Sequence, residues 1–184
     1  MSVQLSQLLS REEFLKRFDD VGDFHEGLAW VQKNDKAWHI FRDGSPAYEE
    51  RFDNVGDFHE NMAWACKDDK VWHIFHDSSP AYEERFDDVG DFHEGLAWVQ
   101  KNDKAWHIFR DGSPAYEERF DDVGDFHENM AWACKDDKEY HILRNGSPAY
   151  EERFDSVGDF HEGLAWACKD DKVWHIFHDG SRAD

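Results

Sequence analysis

Short apolar segments separated by turn residues recur along the whole chain. Leu28–Val31 and Ala37–Phe41 are the first two, and both are rich in Trp, Val, Ile or Phe. Between them, Asn34-Asp35 is flanked by lysines, a pattern typical of a two-residue type I′ hairpin turn. Asp43-Gly44 forms the next turn signal. The turns follow one another too closely for helices, so the apolar segments are predicted to be β-strands.

The central strands are apolar on both sides. Successive side chains of a strand point to opposite faces, so Leu28 and Trp30 share one face while Ala29 and Val31 share the other. A sheet with one solvent-exposed face would alternate apolar and polar residues instead. The pattern therefore predicts that each unit is covered on both sides by its neighbours, as in a propeller or a tight solenoid.

One unit is expected to contain four antiparallel strands. Their predicted ranges are Phe18–Phe24, Leu28–Lys33, Lys36–Arg42 and Ala47–Phe52. The turn at residues 25–27 ends in Gly in some units and in Asn in others, the residues that best tolerate a positive φ.

The unit is repeated five times with a period of 34 residues. The string RFD-x-VGDFHE begins each copy, and there is no linker between copies. We therefore predict a single five-repeat β domain at 17–184, preceded by a short segment at 1–16. The predicted units are 17–50, 51–84, 85–118, 119–152 and 153–184.

The two ends of the sequence suggest how the array is closed. The last unit stops at Asp184, where Pro-Ala-Tyr-Glu-Glu would follow, and Phe14 precedes Arg17 by three residues as Tyr48 precedes Arg51. The segment 1–16 could thus complete the last unit and leave no open sheet edge. We predict an all-β fold, a five-bladed β-propeller closed by the N-terminal segment. An open β-solenoid is the alternative.

The N-terminal segment also carries helical signals. Leu5, Leu8 and Leu9 have helical spacing, and Ser10-x-x-Glu13 matches a capping box. The segment 1–16 is therefore interpreted as a clasp or a short helix.

The unit resembles the bacterial WG, or KWG, repeat. The resemblance is carried by Gly27-Leu-Ala-Trp-Val, Lys36-Ala-Trp-His-Ile and the turn at Asp43-Gly44, and it covers all five copies. It implies a β-repeat fold with a binding or scaffold role, and it supplies no catalytic residues. The sequence is similar to a divergent branch, because Tyr140 replaces one repeat Trp and because a His follows this position where the family has Gly. These histidines are His39, His73, His107, His141 and His175.

Charge narrows the range of partners. Forty-two acidic residues against 21 basic ones give a formal charge of −21, which repels nucleic acid and anionic membranes and leaves a cationic partner or a metal ion possible. Nine Trp and an aromatic content of 16% exclude an unfolded chain.

The cysteines and the N-terminus indicate the compartment. Cys66, Cys134 and Cys168 occupy one repeat position and lack the spacing of a disulfide framework or a zinc site. The chain shows no secretory signal and no apolar run long enough for a membrane span. We expect a cytoplasmic protein.

Two sets of repeated side chains are candidates for binding. One Trp of each unit could pack in the core or stack on a ligand such as a sugar ring. These residues are Trp30, Trp64, Trp98, Trp132 and Trp166. One His of each unit could join a ring of metal ligands for zinc, nickel or copper, although any residue of a fivefold repeat occurs five times and this one lies in a turn. These residues are His25, His59, His93, His127 and His161.

No motif for catalysis is present. The sequence lacks a nucleophile elbow and a phosphate loop, and five equal copies seldom build one distinctive pocket. We expect no enzyme and no cofactor. The predicted function is a monomeric, multivalent binding or scaffold ring that presents repeated sites to a protein, peptide or glycan. A metal-binding ring of His and carboxylates is the alternative.

Overall fold

A computed structural model describes residues 8–184 of the chain. One helix, α1 (Arg11–Leu15), precedes five three-stranded antiparallel sheets, each built from consecutive strands of one repeat. The first repeat contains β1 (Asp20–Val21), β2 (Ala29–Lys33) and β3 (Lys36–Ile40), and the second contains β4 (Asn54–Val55), β5 (Ala63–Lys67) and β6 (Lys70–Ile74). The third contains β7 (Asp88–Val89), β8 (Ala97–Lys101) and β9 (Lys104–Ile108). The fourth contains β10 (Asp122–Val123), β11 (Met130–Lys135) and β12 (Lys138–Leu143), and the fifth contains β13 (Ser156–Val157), β14 (Ala165–Lys169) and β15 (Lys172–Ile176).

The chain forms two compact units, Met1–Arg85 and Phe86–Asp184. The first contains the sheets of two repeats and the second contains the sheets of three. In each, the all-β prediction is confirmed. The single domain at 17–184 stays a prediction.

The hairpin turns have the predicted geometry. Asn34 and Asp35 join β2 to β3 with φ values of 52° and 59°, as a type I′ turn requires. The preceding turn uses the same positive φ region, at 50° for Glu26 and 84° for Gly27. Asn and Asp tolerate this region better than most residues, and Gly has no Cβ to clash, so local chemistry fixes both turns.

Both sides of the central hairpin are buried, as the apolar pattern predicts. On one side, Val31 and Ile40 are fully buried. On the other side, Ala37 and His39 are also inaccessible, and His39 lies directly across from Trp30 in the β2–β3 register. The strands of the second, third and fourth repeats show a similar pattern, so the doubly covered strand is a property of the repeat.

The prediction of a fourth strand is wrong. The segment Ala47–Phe52 meets β3 only through isolated bridges at Pro46 and Phe52. The first strand is also shorter than predicted, since β1 covers only Asp20–Val21 of the expected Phe18–Phe24.

Arg51 explains the interruption. Its Nη1 donates to the carbonyl oxygens of Tyr48, Glu49 and Glu50 at 3.1, 2.8 and 2.9 Å. These three successive carbonyls all point toward one guanidinium, whereas the carbonyls of a strand point alternately to its two sides, so the segment cannot continue a regular ladder. The same guanidinium stacks over the Trp38 ring at 4.1 Å, a cation–π contact that holds the segment against the sheet.

The described part of the N-terminal segment forms the helix and packs on the first repeat. Ser10 and Glu13 make the predicted capping box, with distances of 3.3 and 2.7 Å. Phe14 is buried, and its ring lies 5.8 Å from that of Phe24. The helix begins after Leu8 and Leu9, so the leucine spacing did not mark it. Leu5 and the rest of residues 1–7 lie outside the described residues.

No sheet of residues 8–184 closes on itself. Each sheet instead ends at its own third strand, with the following segment passing to the next repeat. Closure of the array by the N-terminal segment therefore stays a prediction.

A glycine next to β10 gives a test of the packing. A Cβ at Gly124 would lie 2.0 Å from the indole Nε1 of Trp132, so Gly124→Ala forces the indole out of place. We expect a loss of about 1–3 kcal/mol of stability, measured by urea unfolding. Gly163→Asn is the control, because its φ of 81° and open surroundings suit the Asn found at equivalent positions 61 and 129. Equal unfolding midpoints for both variants would contradict the close-packing argument.

Candidate binding clefts between repeats

The His that replaces the family Gly is a buried link between repeats. In the third repeat, the His107 backbone N–H donates to the Tyr116 hydroxyl at 3.2 Å, and this hydroxyl lies 2.6 Å from His107 Nδ1. His107 Nε2 lies 2.8 Å from the carbonyl oxygen of Gly124 in the fourth repeat. A carbonyl only accepts, so Nε2 carries the hydrogen and Nδ1 accepts from Tyr116. His39 and His141 make the same two ring contacts.

Burial keeps these imidazoles neutral. Desolvation lowers the pKa of His39, His107 and His141 to about 4, although the bond to the Gly carbonyl opposes this shift. Desolvation raises the pKa of the partner hydroxyls, including Tyr48 and Tyr116. The network is therefore structural, with every nitrogen engaged and no proton available near neutral pH.

The candidate metal ligands also bridge repeats. His25 Nε2 lies 3.6 Å from the Asp57 carboxylate, and His127 Nε2 lies 3.8 Å from that of Asp159. His127 and His161 have ring centroids 5.3 Å apart. Even so, residues 8–184 contain no group of three or more His, Cys, Asp or Glu side chains placed to hold a metal ion.

The candidate ligand-binding Trp residues lie on glycines. A Gly follows the first, short strand of each repeat, and a Cβ added to it would lie only 2.0–2.1 Å from the indole Nε1 of the Trp in that repeat. These Trp residues are Trp30, Trp64, Trp98, Trp132 and Trp166. The first four are half-buried, and the indole of Trp166 is 43% exposed. They are neither full core residues nor free surface residues, which leaves part of each ring accessible.

Two of these indoles line an open cleft between the fourth and fifth repeats. Its volume is about 450 Å³. The walls carry aromatic rings and carboxylates together. The lining residues are Trp132, Glu139, Ser156, Val157, Gly158, Asp159, His161 and Trp166.

The carboxylates of this cleft have no Lys or Arg partner in the described chain. Glu139 Oε2 accepts from the Ser156 hydroxyl at 2.9 Å and from the Val157 N–H at 2.8 Å. Asp159 Oδ2 lies 3.8 Å from the His127 imidazole, and the buried Oδ1 of Asp159 accepts no hydrogen bond. By contrast, Asp155 is paired with Lys138 at 2.5 Å. The cleft is therefore locally anionic.

Sequence reasoning missed Glu139, although a signal was present. The first, second, third and fifth repeats have Ala or Val at this position. The first four repeats have Asp or Asn where the fifth has Ser156. In the first repeat that acid, Asp20, accepts the Val21 N–H at 2.8 Å. Glu139 supplies the acceptor that Ser156 cannot. Departures from the repeat consensus thus marked this cleft as different.

Comparison with known families explains the repeat. The model of the WG containing repeat matches residues 15–36, 43–70, 85–104, 111–138 and 144–172. This chain belongs to the WG-repeat family. The resemblance inferred from the strands and turns is thus confirmed. No curated protein matches the chain in sequence.

Solved structures support a propeller fold for the WG repeats. Hsv2 of Kluyveromyces marxianus matches with a TM-score of 0.58 and 11% identity, over 89% of this chain and 61% of that one. Kluyveromyces lactis Hsv2 matches with a TM-score of 0.54 and 9% identity, over 88% of this chain and 61% of that one. These structures are propellers, so the propeller-type fold is confirmed. The chain spans about three fifths of their length.

Two further features of the WG-repeat chain concern its cysteines and its helix. Cys66, Cys134 and Cys168 are half-buried, and burial raises the pKa of the Cys134 thiol. Within residues 8–184, no helix has the length and apolar character needed to cross a membrane.

The buried His predicts a pH dependence of stability. Between pH 6.5 and 4 the unfolded chain protonates His107 while the folded chain does not, so the stability present above pH 6.5 is lost as the pH falls. The loss between pH 7.5 and 4.5 is of the order of 3 kcal/mol for this residue.

The measurement compares urea unfolding of the natural chain and of His107→Gln at both pH values. Gln can donate to Gly124 but does not titrate. The many carboxylates are the same in both proteins, so their contribution to the pH dependence cancels in the comparison. The variant should show the smaller pH dependence. Equal dependence in both proteins would contradict a neutral, buried His107.

Proposed function

We propose that this WG-repeat protein is a non-enzymatic, multivalent binding or scaffold module whose ligand sites are the clefts between adjacent repeats. The observation that carries the proposal is the cleft beside Trp132, where two partly exposed indoles stand next to carboxylates that have no Lys or Arg partner among the described residues. Such a site offers contact area and charge but no activated nucleophile. Binding, not catalysis, is the chemistry that it supports.

A peptide with cationic side chains is the ligand that fits this cleft best. Indole faces attract Lys and Arg side chains by cation–π contact, and carboxylates bind them by charge-assisted hydrogen bonds. Asp159 is half-exposed and can accept such a bond. The charge of −21 would also steer a cationic partner towards the protein.

Repetition makes weak sites effective. Trp, Gly and Asp recur at the equivalent positions of the other repeats, for example Trp64 with Gly56 and Asp57. A partner with several basic side chains can occupy several clefts together, which raises the apparent affinity without new contacts. A protein or peptide of this kind is therefore favoured over a glycan, which has no charge to match the carboxylates.

The test uses fluorescein-labelled decapeptides of Gly and Ser that carry two Arg, two Lys or two Gln. We expect anisotropy titrations at near-physiological salt to show binding of the Arg and Lys peptides but not of the Gln peptide. Asp159→Asn should weaken binding about tenfold, since a hydrogen bond to a charged group is worth about 1.5–3 kcal/mol. Trp132→Ala should weaken it about threefold or more.

Two controls separate the cleft from general electrostatics and from misfolding. Glu151→Gln removes the same charge as Asp159→Asn at an exposed position outside the cleft, so it should change binding less than about twofold. Glu139→Ala with Ser156→Asp restores the arrangement of the other repeats and should unfold at the same urea concentration as the natural chain. Binding that is lost equally with Glu151→Gln would refute the cleft as the site.

A further inference from the structure

Three polar contacts recur where one repeat meets the next. A buried His donates to a Gly carbonyl, a turn His approaches an Asp, and a turn Glu accepts a backbone N–H. In the compact unit Met1–Arg85 the pairs are His39 with Gly56 at 2.8 Å, His25 with Asp57 at 3.6 Å and Glu26 with Asn61 at 3.0 Å. In the compact unit Phe86–Asp184 they include His141 with Gly158 at 2.9 Å, His127 with Asp159 at 3.8 Å and Glu128 with Gly163 at 3.0 Å.

The last repeat exposes to solvent the side chains that reach forward across this junction in the other repeats. His175, His161 and Glu162 are exposed, although their counterparts contact a following repeat. Val173 is 66% exposed, whereas the equivalent Val71 is 8% exposed. We call the surface formed by His161, Glu162, Val173 and His175 the trailing face.

The first repeat exposes the groups that such side chains contact. Gly22, Asp23 and Phe24 are all more exposed than their counterparts in the second repeat, and a Cβ at Gly27 would have nothing within 4 Å. We call the surface formed by Gly22, Asp23, Phe24 and Gly27 the leading face.

A cavity of about 180 Å³ opens at the leading face. Phe14, Gly22 and Phe24 are among its walls. They match by repeat position the Tyr, Gly and Phe that surround His39, namely Tyr48, Gly56 and Phe58. Among the described residues, the leading face therefore has the walls of a junction pocket and no His inside it.

We propose that the trailing face of one copy binds the leading face of a second copy, so that the protein associates head to tail. Asp184, an exposed residue that contacts His175 from the repeat position of Phe14, gives way to the Phe14 of the second copy. His175 then enters the cavity and its Nε2 donates to the Gly22 carbonyl. His161 lies against Asp23, and the Glu162 carboxylate accepts the Gly27 N–H. Each contact reproduces one that already joins two repeats of the same chain.

The near identity of the repeats is what selects a second copy as the partner. A face that fits the next repeat within the chain also fits the equivalent repeat of another chain. Arg11 lies over Asp23 at 3.1 Å, but this ion pair is exposed, so displacing it costs little. The contact joins two different faces and leaves one of each free, which allows chains or rings of copies. The monomer expected from the sequence would then be the dilute form.

Sedimentation velocity over about 1–100 µM tests this association. The natural chain should form species that are multiples of 21.8 kDa, and more of them at high salt, because each copy carries a charge of −21. Val173→Arg blocks the trailing face and Asp23→Arg blocks the leading face. Each variant alone should sediment as a monomer.

Mixing the two variants gives the decisive result. Val173→Arg retains a leading face and Asp23→Arg retains a trailing face, so an equal mixture should form heterodimers and nothing larger. Phe177→Arg is the control, because this side chain is 48% exposed and its counterparts Phe41 and Phe109 are about equally exposed inside the array. It should associate like the natural chain.

Three results would overturn the proposal. The natural chain could remain a monomer throughout the range, as a chain closed on itself would. Asp23→Arg could associate normally by itself, which would indicate contact between two trailing faces. Phe177→Arg could abolish association, which would place the contact elsewhere. Peptide binding at the Trp132 cleft is measured on Val173→Arg, so that the two proposals fail independently.

Discussion

The buried bond from His Nε2 to a Gly carbonyl is the interaction on which the array depends. It crosses from one repeat to the next at 2.8–2.9 Å, and the Tyr hydroxyl occupies the other ring nitrogen. A buried imidazole without these partners would lose the solvation of its polar atoms without compensation. The first, third and fourth repeats therefore need the following repeat for polar satisfaction as well as for apolar burial. This explains how the family's Gly position can hold a large polar ring.

The same dependence shapes the surface. Because two His side chains and the turn Glu of one repeat reach forward to a Gly carbonyl, an Asp and a backbone N–H of the next, the space between repeats is bridged at a few points and left open between them. The half-buried indoles face these openings. Binding clefts are thus a consequence of how the repeats are joined, and the fourth repeat alters one of them by exchanging a small apolar residue for Glu139.

A directional junction also gives the first and the last repeat different exposed faces. The side chains that reach forward, two His and a Glu, lie on one face of a repeat, and the Gly carbonyl, the Asp and the backbone N–H that they contact lie on the other. Proteins that stack repeats commonly cover terminal faces with polar caps. Here the helix at Arg11–Leu15 packs on the first repeat, while Val173 and His175 of the last repeat are exposed.

The sequence by itself determined the period, the strand positions and the turns, because these depend on local chemistry. Asn34-Asp35 and Gly27 adopt positive φ whatever lies around them, and Ser10 with Glu13 caps a helix within three residues. The prediction of a fourth strand was wrong because Arg51 hydrogen-bonds to three successive carbonyls while it stacks on Trp38. Likewise the roles of His39 and His25 were not readable from spacing, since both are set by residues of the following repeat. Only the tertiary structure brings those partners within hydrogen-bond distance, and it thereby decides which histidines are structural and which indoles remain accessible.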